Sequence, residues 1–226
     1  LTEIKQDITI GHDLSRYNKE HITSREVNVM RNLAILLFDD VEVLDFAGPF
    51  EVFAVTRDLN DPETPLFNVY TVAEESRPII ACNGLSINPM YTLDECPKPD
   101  IFLVPGGRGT RTEIDNPAVI GWITGQAPDA ELVLSVCTGA LLLGKAGLLD
   151  GLDATTHHSA FEELAEVAPH TALHRGRRYI DNGLLVTSAG ISAGIDMSLY
   201  IVAKLHGVEQ ARHTAHHMEY NWSEND

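Results

Sequence analysis

Cys137 stands where an apolar run ends and a helical pattern begins, in LVLSVCTGALLLGKAG (132–147). A sharp strand-to-helix turn lifts its central side chain out of a sheet, the arrangement of a nucleophile elbow. The helix that follows aims its positive end and free N–H groups at that side chain, which favours thiolate over thiol. The chemistry in reach is addition of sulfur to an electrophilic carbon, with the Thr138 hydroxyl beside the sulfur. The competing reading is structural: cysteine is among the most buried residue types and could simply pack at a strand end.

Two other segments carry residues of the right kind. In PGGRG (105–109) two consecutive glycines, Gly106 and Gly107, follow the apolar run IFLV. Their amides could form an oxyanion hole or nest, or the segment could be an ordinary glycine turn. It is too short for a dinucleotide fingerprint, and GxxxxGK[ST] is absent from the chain, so nucleotide-phosphate binding is not expected. In VLDFAGPFEVF, Asp45 stands at a helix start. It could cap that helix or serve as a general acid/base. Among the ten histidines, His213 and His217 share a helix face,. No third ligand is spaced to match them and HExxH is missing, so no metal is expected.

These residues need elements to position them. LAILLF (33–38) is a short continuous apolar run, suited to a strand covered on both faces, and LFNVYTVA (66–73), IFLV (101–104) and LVLSV (132–136) read as further strands,. Helical spacing follows Asp45, and PAVIGWITGQA (117–127) is a helix with Asp115 and Asn116 as cap candidates and Pro117 in its first turn,. Further helices are expected at 138–147, 159–167, 192–207 and 208–218, with a shorter element at 154–158. Asn83-Gly84 and Asn182-Gly183 mark two hairpins,. Strands alternating with helices predict an α/β fold with a mostly parallel central sheet and helices on both faces. Ligands in such folds sit beyond the carboxyl ends of the strands, where Asp45, PGGRG and Cys137 all fall.

The chain has 226 residues, 44% of them hydrophobic, enough for one domain with a sizeable core. Residues 1–30 are polar and weakly periodic and read as an N-terminal extension; 31–226 read as the domain. With 16 Lys plus Arg against 33 Asp plus Glu, the formal charge is −17, which repels phosphate backbones and argues against a nucleic-acid partner. Three cysteines without CxxC spacing fit a reducing cytoplasm rather than a disulfide scaffold,. No apolar run approaches the roughly 20 residues of a membrane span, and the first residues lack the apolar core of a signal peptide.

The combination of PGG at a strand end, SVCTGALLLGKAGLLDGLDATTHH and TSAGISAGIDMSLYIVAKLHG resembles the ThiJ/PfpI superfamily over about residues 33–222. The resemblance implies a flavodoxin-like three-layer sandwich, related to class I glutamine amidotransferases. VLDFAGPFEVF, threonine rather than histidine after the cysteine, and AGISAGID are most similar to the isocyanide hydratase-like branch and to the amidotransferase-like domains of some transcription regulators. What this branch implies is a cofactor-free enzyme with Cys137 as nucleophile, Asp45 as its acid/base partner and Thr138 beside the thiol. It also implies backbone contributions from Ile191 and, on the oxyanion side, Gly107. A small-molecule substrate and a homodimer are implied too. Gly106, Arg108 and His157 are pocket candidates: Arg108 could bring a charge to the pocket mouth, and His157-His158 replaces the commoner His-Trp. Carbonyl-directed hydrolase or glyoxalase chemistry, a ligand- or redox-sensing module and a purely structural role are the alternatives.

Overall fold

The structure is a computed structural model and describes residues 30–224. The expected polar extension therefore lies outside the described residues, apart from Met30. In chain order the elements are β1 (Arg31–Leu36), α1 (Val43–Val55), β2 (Phe67–Ala73), β3 (Ile79–Ile80), β4 (Ser86–Ile87), β5 (Tyr91–Thr92), β6 (Ile101–Val104), α2 (Thr110–Glu113) and α3 (Pro117–Gln126). They continue with β7 (Leu132–Val136), α4 (Gly139–Lys145), β8 (Asp153–Ala154), α5 (Phe161–Val167), β9 (Ala172–Leu173), β10 (Tyr179–Asp181), β11 (Leu185–Ser188), α6 (Ala193–His206) and α7 (Val208–His217).

The seven-stranded sheet runs β10-β11-β7-β6-β1-β2-β5. Its pairings are parallel except β10 with β11. Helices α1, α6 and α7 pack together, as do α3, α4 and α5. The apolar runs are continuous because the strands are covered on both faces: Leu33 to Leu36, Ile101 to Val104 and Leu132 to Val136 are all buried,. Each large aliphatic or aromatic side chain so enclosed contributes about 1.5–3 kcal/mol. Both Asn-Gly hairpins form, and Asn83 takes the left-handed conformation (φ 63°) that asparagine tolerates better than most residues,.

Counted along the parallel strands alone, the order is β5-β2-β1-β6-β7-β11. Chain direction across the sheet reverses between β1 and β6. That reversal opens a crevice at the carboxyl ends of these strands, the ligand position of doubly wound folds. The segments after β1, β6 and β7 carry Asp45, Gly106-Gly107 and Cys137. They converge there, as the topology predicts.

Three local readings differ. Asp45 does not cap α1: the helix starts at Val43 and Glu42 holds the cap position. Segment 154–158 is extended only at Asp153–Ala154, pairing with β9. Helix α5 starts at Phe161 rather than Ser159, because Ser159 is bonded back to His157. No helix among the described residues is long and apolar enough to cross a membrane.

Candidate active site

The elbow at Cys137 has φ 58°. A residue with a Cβ pays roughly 1–2 kcal/mol to occupy this left-handed region, so the surroundings must hold it there. The Cys137 N–H donates to Ser188 O at 3.0 Å, and the Thr156 hydroxyl donates to Cys137 O at 2.8 Å. Both flanking peptide groups are thereby fixed, and the thiol is aimed into the crevice with the residue only 5% exposed.

Asp45 projects from the first turn of α1 and is fully buried. Its Oδ2 accepts the Gly106 N–H at 3.0 Å, while Oδ1 is buried without a conventional partner. Burial pushes the Asp45 carboxyl up to about 7, although the Cys137 thiol and the Gly106 amide both favour the carboxylate,. The Cys137 thiol is also pushed up, first by burial and then by the charge of Asp45. The amide and hydroxyl of Thr138 pull the other way without prevailing. The helix-end argument for a low thiol pKa therefore fails here: desolvation outweighs the α4 terminus. Burial thus holds the thiol in its protonated form and leaves the Asp45 carboxyl titrating near 7.

The two glycine amides of the β6 turn are both taken. Gly106 serves Asp45, and the Gly107 N–H donates to Thr138 Oγ1 at 3.0 Å. Thr138 Oγ1 lies 3.1 Å from Gly107 O, and Thr110 Oγ1 donates to that carbonyl at 2.8 Å. In this structure the Gly107 N–H, expected on the oxyanion side, orients the Thr138 hydroxyl. Gly106 must be glycine for closeness. A Cβ there would stand 2.6 Å from Thr138 N and 2.7 Å from Asp45 Oδ2.

The far wall comes from the segment after β11. A Cβ on Gly190 would stand 2.6 Å from Cys137 Sγ and 2.8 Å from His157 Cδ2. This brings His157 and the residue preceding Ile191 to the thiol. The Ile191 residue itself is 36% exposed at this rim.

Arg108 is not brought in. Its side chain is largely exposed and pairs with Asp40 at 3.0 Å. The cation near the site is Arg111, missed from sequence. Its guanidinium bonds Gly107 O and Thr110 Oγ1, both at 3.2 Å, and grips Glu163 through Nε at 3.0 Å and Nη2 at 2.6 Å. Nothing in RGTRTE distinguishes the two arginines until α2 fixes which one turns inward. Among the described residues, no three His, Cys, Asp or Glu side chains are grouped to hold a metal.

The DJ-1/PfpI family description matches residues 31–204, and the chain belongs to that family. It is similar to the isonitrile hydratase of Pseudomonas putida, 36% identical over 83% of this chain and 78% of that protein. It is also 30% identical to the HTH-type transcriptional regulator GbdR of Pseudomonas aeruginosa, over 79% of this chain but only 48% of the regulator. A crystal structure of a ThiJ/PfpI family protein from Pseudomonas syringae superposes with a TM-score of 0.77 at 27% identity, over 95% of this chain and 86% of that one.

Proposed function

We propose that this family member hydrates an isocyanide to an N-substituted formamide. The observation that carries the reading is the buried Asp45–Cys137 pair, in which a carboxyl titrating near neutrality faces a thiol that keeps its proton. The similarity to an isonitrile hydratase supports the same choice. Asp45 takes the thiol proton, sulfur adds to the terminal isocyanide carbon, and Asp45 returns the proton to that carbon, giving a thioimidate. Water then adds to the C=N carbon, its proton passing through Asp45 to nitrogen. Cleavage of the C–S bond, with the hydroxyl proton returned to sulfur through Asp45, releases the formamide and restores the pair. The balance is one isocyanide plus one water, with no net proton and no cofactor. Thr138, held by Gly107, steadies sulfur as charge develops there.

The reading includes a small-molecule substrate, a homodimeric enzyme and a cytoplasmic setting. Turnover of an aryl isocyanide, followed as loss of substrate and gain of formamide, tests it. Wild-type activity that vanishes in Cys137→Ala is expected; an active Cys137→Ala overturns the covalent route. The similarity to a transcription regulator favours a second reading, a ligand-sensing module that binds in the same crevice. Saturable isocyanide binding by the wild type without formamide would select it.

A further inference from the structure

The Gly107 peptide is held from both sides. Its N–H donates to Thr138 Oγ1 at 3.0 Å. Its carbonyl accepts the Thr110 hydroxyl at 2.8 Å and Arg111 Nη1 at 3.2 Å. The same Nη1 donates to Thr110 Oγ1 at 3.2 Å, and Thr110 Oγ1 lies 3.2 Å from Thr138 Oγ1. One peptide, two hydroxyls and one guanidinium edge therefore form a closed set beside the elbow. Thr110 is fully buried and Thr138 nearly so. Hydrogen bonds in such a set strengthen one another, so removing one member loosens the rest.

The anchor of the set lies outside it. Glu163, in the first turn of α5, grips Arg111 at Nε and Nη2, at 3.0 and 2.6 Å. A two-pronged contact fixes the plane of the guanidinium, and with it the direction of the remaining Nη1. The two side chains are 42% and 36% exposed, and an ion pair so exposed adds little stability by itself. Its effect is to orient Nη1, which faces the buried carbonyl. At the other end of the set stands Thr138, whose amide and hydroxyl both favour the Cys137 thiolate.

We propose that Arg111, locked by Glu163, is a positioning residue for the nucleophile: it holds the Gly107 peptide, and through that peptide the Thr138 hydroxyl, in place at the Cys137 elbow. The contacts run in series from Glu163 at the surface through Arg111, Gly107 and Thr138 to the thiol. Arg111 acts through Thr138 rather than on the reacting atoms. Losing it frees the Gly107 carbonyl, lets the Thr138 hydroxyl drift from its place and lowers the thiolate fraction of Cys137. The inference concerns the thiol itself and does not depend on which electrophile the thiol meets.

The test is the rate at which iodoacetamide alkylates Cys137 at pH 9, followed by mass of the Cys137 peptide. Arg111→Met keeps the aliphatic stem and removes the donors. It is expected to slow alkylation about 3- to 10-fold, the worth of one hydrogen bond. Arg111→Lys keeps the charge without the fork and is expected to recover part of the rate. Thr138→Val should slow alkylation at least as much, and adding Arg111→Met to it should slow it no further, because the two act in series. Glu163→Gln, which leaves every group of the buried set in place, should shift the rate in the same direction by a smaller factor, and carries the comparison if Arg111→Met does not fold. Arg111→Met and Glu163→Gln proteins that alkylate at the wild-type rate overturn the proposal. So does faster alkylation, because the ion pair then only closes the crevice. An Arg111→Met effect that persists in full in the Thr138→Val background also overturns it, because Arg111 then does not act through Thr138.

Discussion

Replacing Asp45 by asparagine separates the cost of the buried carboxyl from its use. The side chain keeps its shape, and its amide oxygen still accepts the Gly106 N–H that Asp45 accepts at 3.0 Å. Burial raises Asp45 from 3.8 in the unfolded chain to about 7 in the folded one. A carboxyl raised in this direction stabilises the fold fully below about pH 4. That contribution is lost as pH rises through about 7, because only the unfolded chain ionises freely in between. The gap corresponds to about 4 kcal/mol across the whole window, more than half of it between pH 5 and pH 8. Asparagine has no such term.

The assay is urea unfolding of wild type and Asp45→Asn at pH 5 and pH 8. Other carboxyls titrate in both proteins and cancel in the difference. Relative to wild type, Asp45→Asn is expected to gain about 2–3 kcal/mol on going from pH 5 to pH 8, a midpoint shift of roughly 1 M urea. Formamide production should fall by about 10²- to 10⁴-fold at both pH values, the usual worth of a general acid/base. A stability difference that does not change with pH would refute the buried, proton-holding carboxyl.

Gly106→Ala places a methyl group against Thr138 N and Asp45 Oδ2. It should cost about 1–3 kcal/mol of stability by overpacking, with kcat falling at least about tenfold as Asp45 moves off its amide, checked by unfolding and formamide assay. The upward-shifted thiol of Cys137 should alkylate with iodoacetamide much more slowly at pH 8 than an ordinary thiol with a pKa near 8.5. Intact mass after timed exposure reads this out, with Cys137→Ala identifying the site. Rapid alkylation at pH 7 would contradict the burial of the pair.

The frame was legible because burial on both sheet faces leaves a plain signature: the apolar runs at 33–38, 101–104 and 132–136, each followed by a turn and a helix. Asn83-Gly84 and Asn182-Gly183 located the hairpins for equally local reasons. The site was legible by residue type and by topology, which places Asp45, Gly106 and Cys137 at neighbouring strand ends. The partnerships were not. Whether a glycine amide is open or occupied depends on distances between segments remote in sequence, such as Gly106 to Asp45 and Gly107 to Thr138. The same holds for Thr156, whose hydroxyl braces Cys137 O. It holds for Arg111, which differs from Arg108 only in facing the β6 turn. The thiol's titration was misread from sequence because a helix end is a local feature, whereas desolvation is a property of the assembled crevice.

That desolvation bears on the choice between turnover and redox sensing. Oxidation by peroxide requires standing thiolate and access, and selectivity among cysteines follows both. Cys137 is 5% exposed and disfavours the thiolate, first through burial and then through Asp45. A sensor built this way would respond slowly. Hydration places the opposite demand on the site. Each turnover moves a proton from sulfur to substrate carbon and others between water, nitrogen and sulfur, so a standing thiolate beside a permanently ionised carboxylate would lack the proton that the first addition needs. A carboxyl titrating near 7 can both take the thiol proton and give it back at little cost in either direction,. The burial that disfavours the Cys137 thiolate is thus the same burial that would fit Asp45 for two-way proton transfer in the proposed hydration.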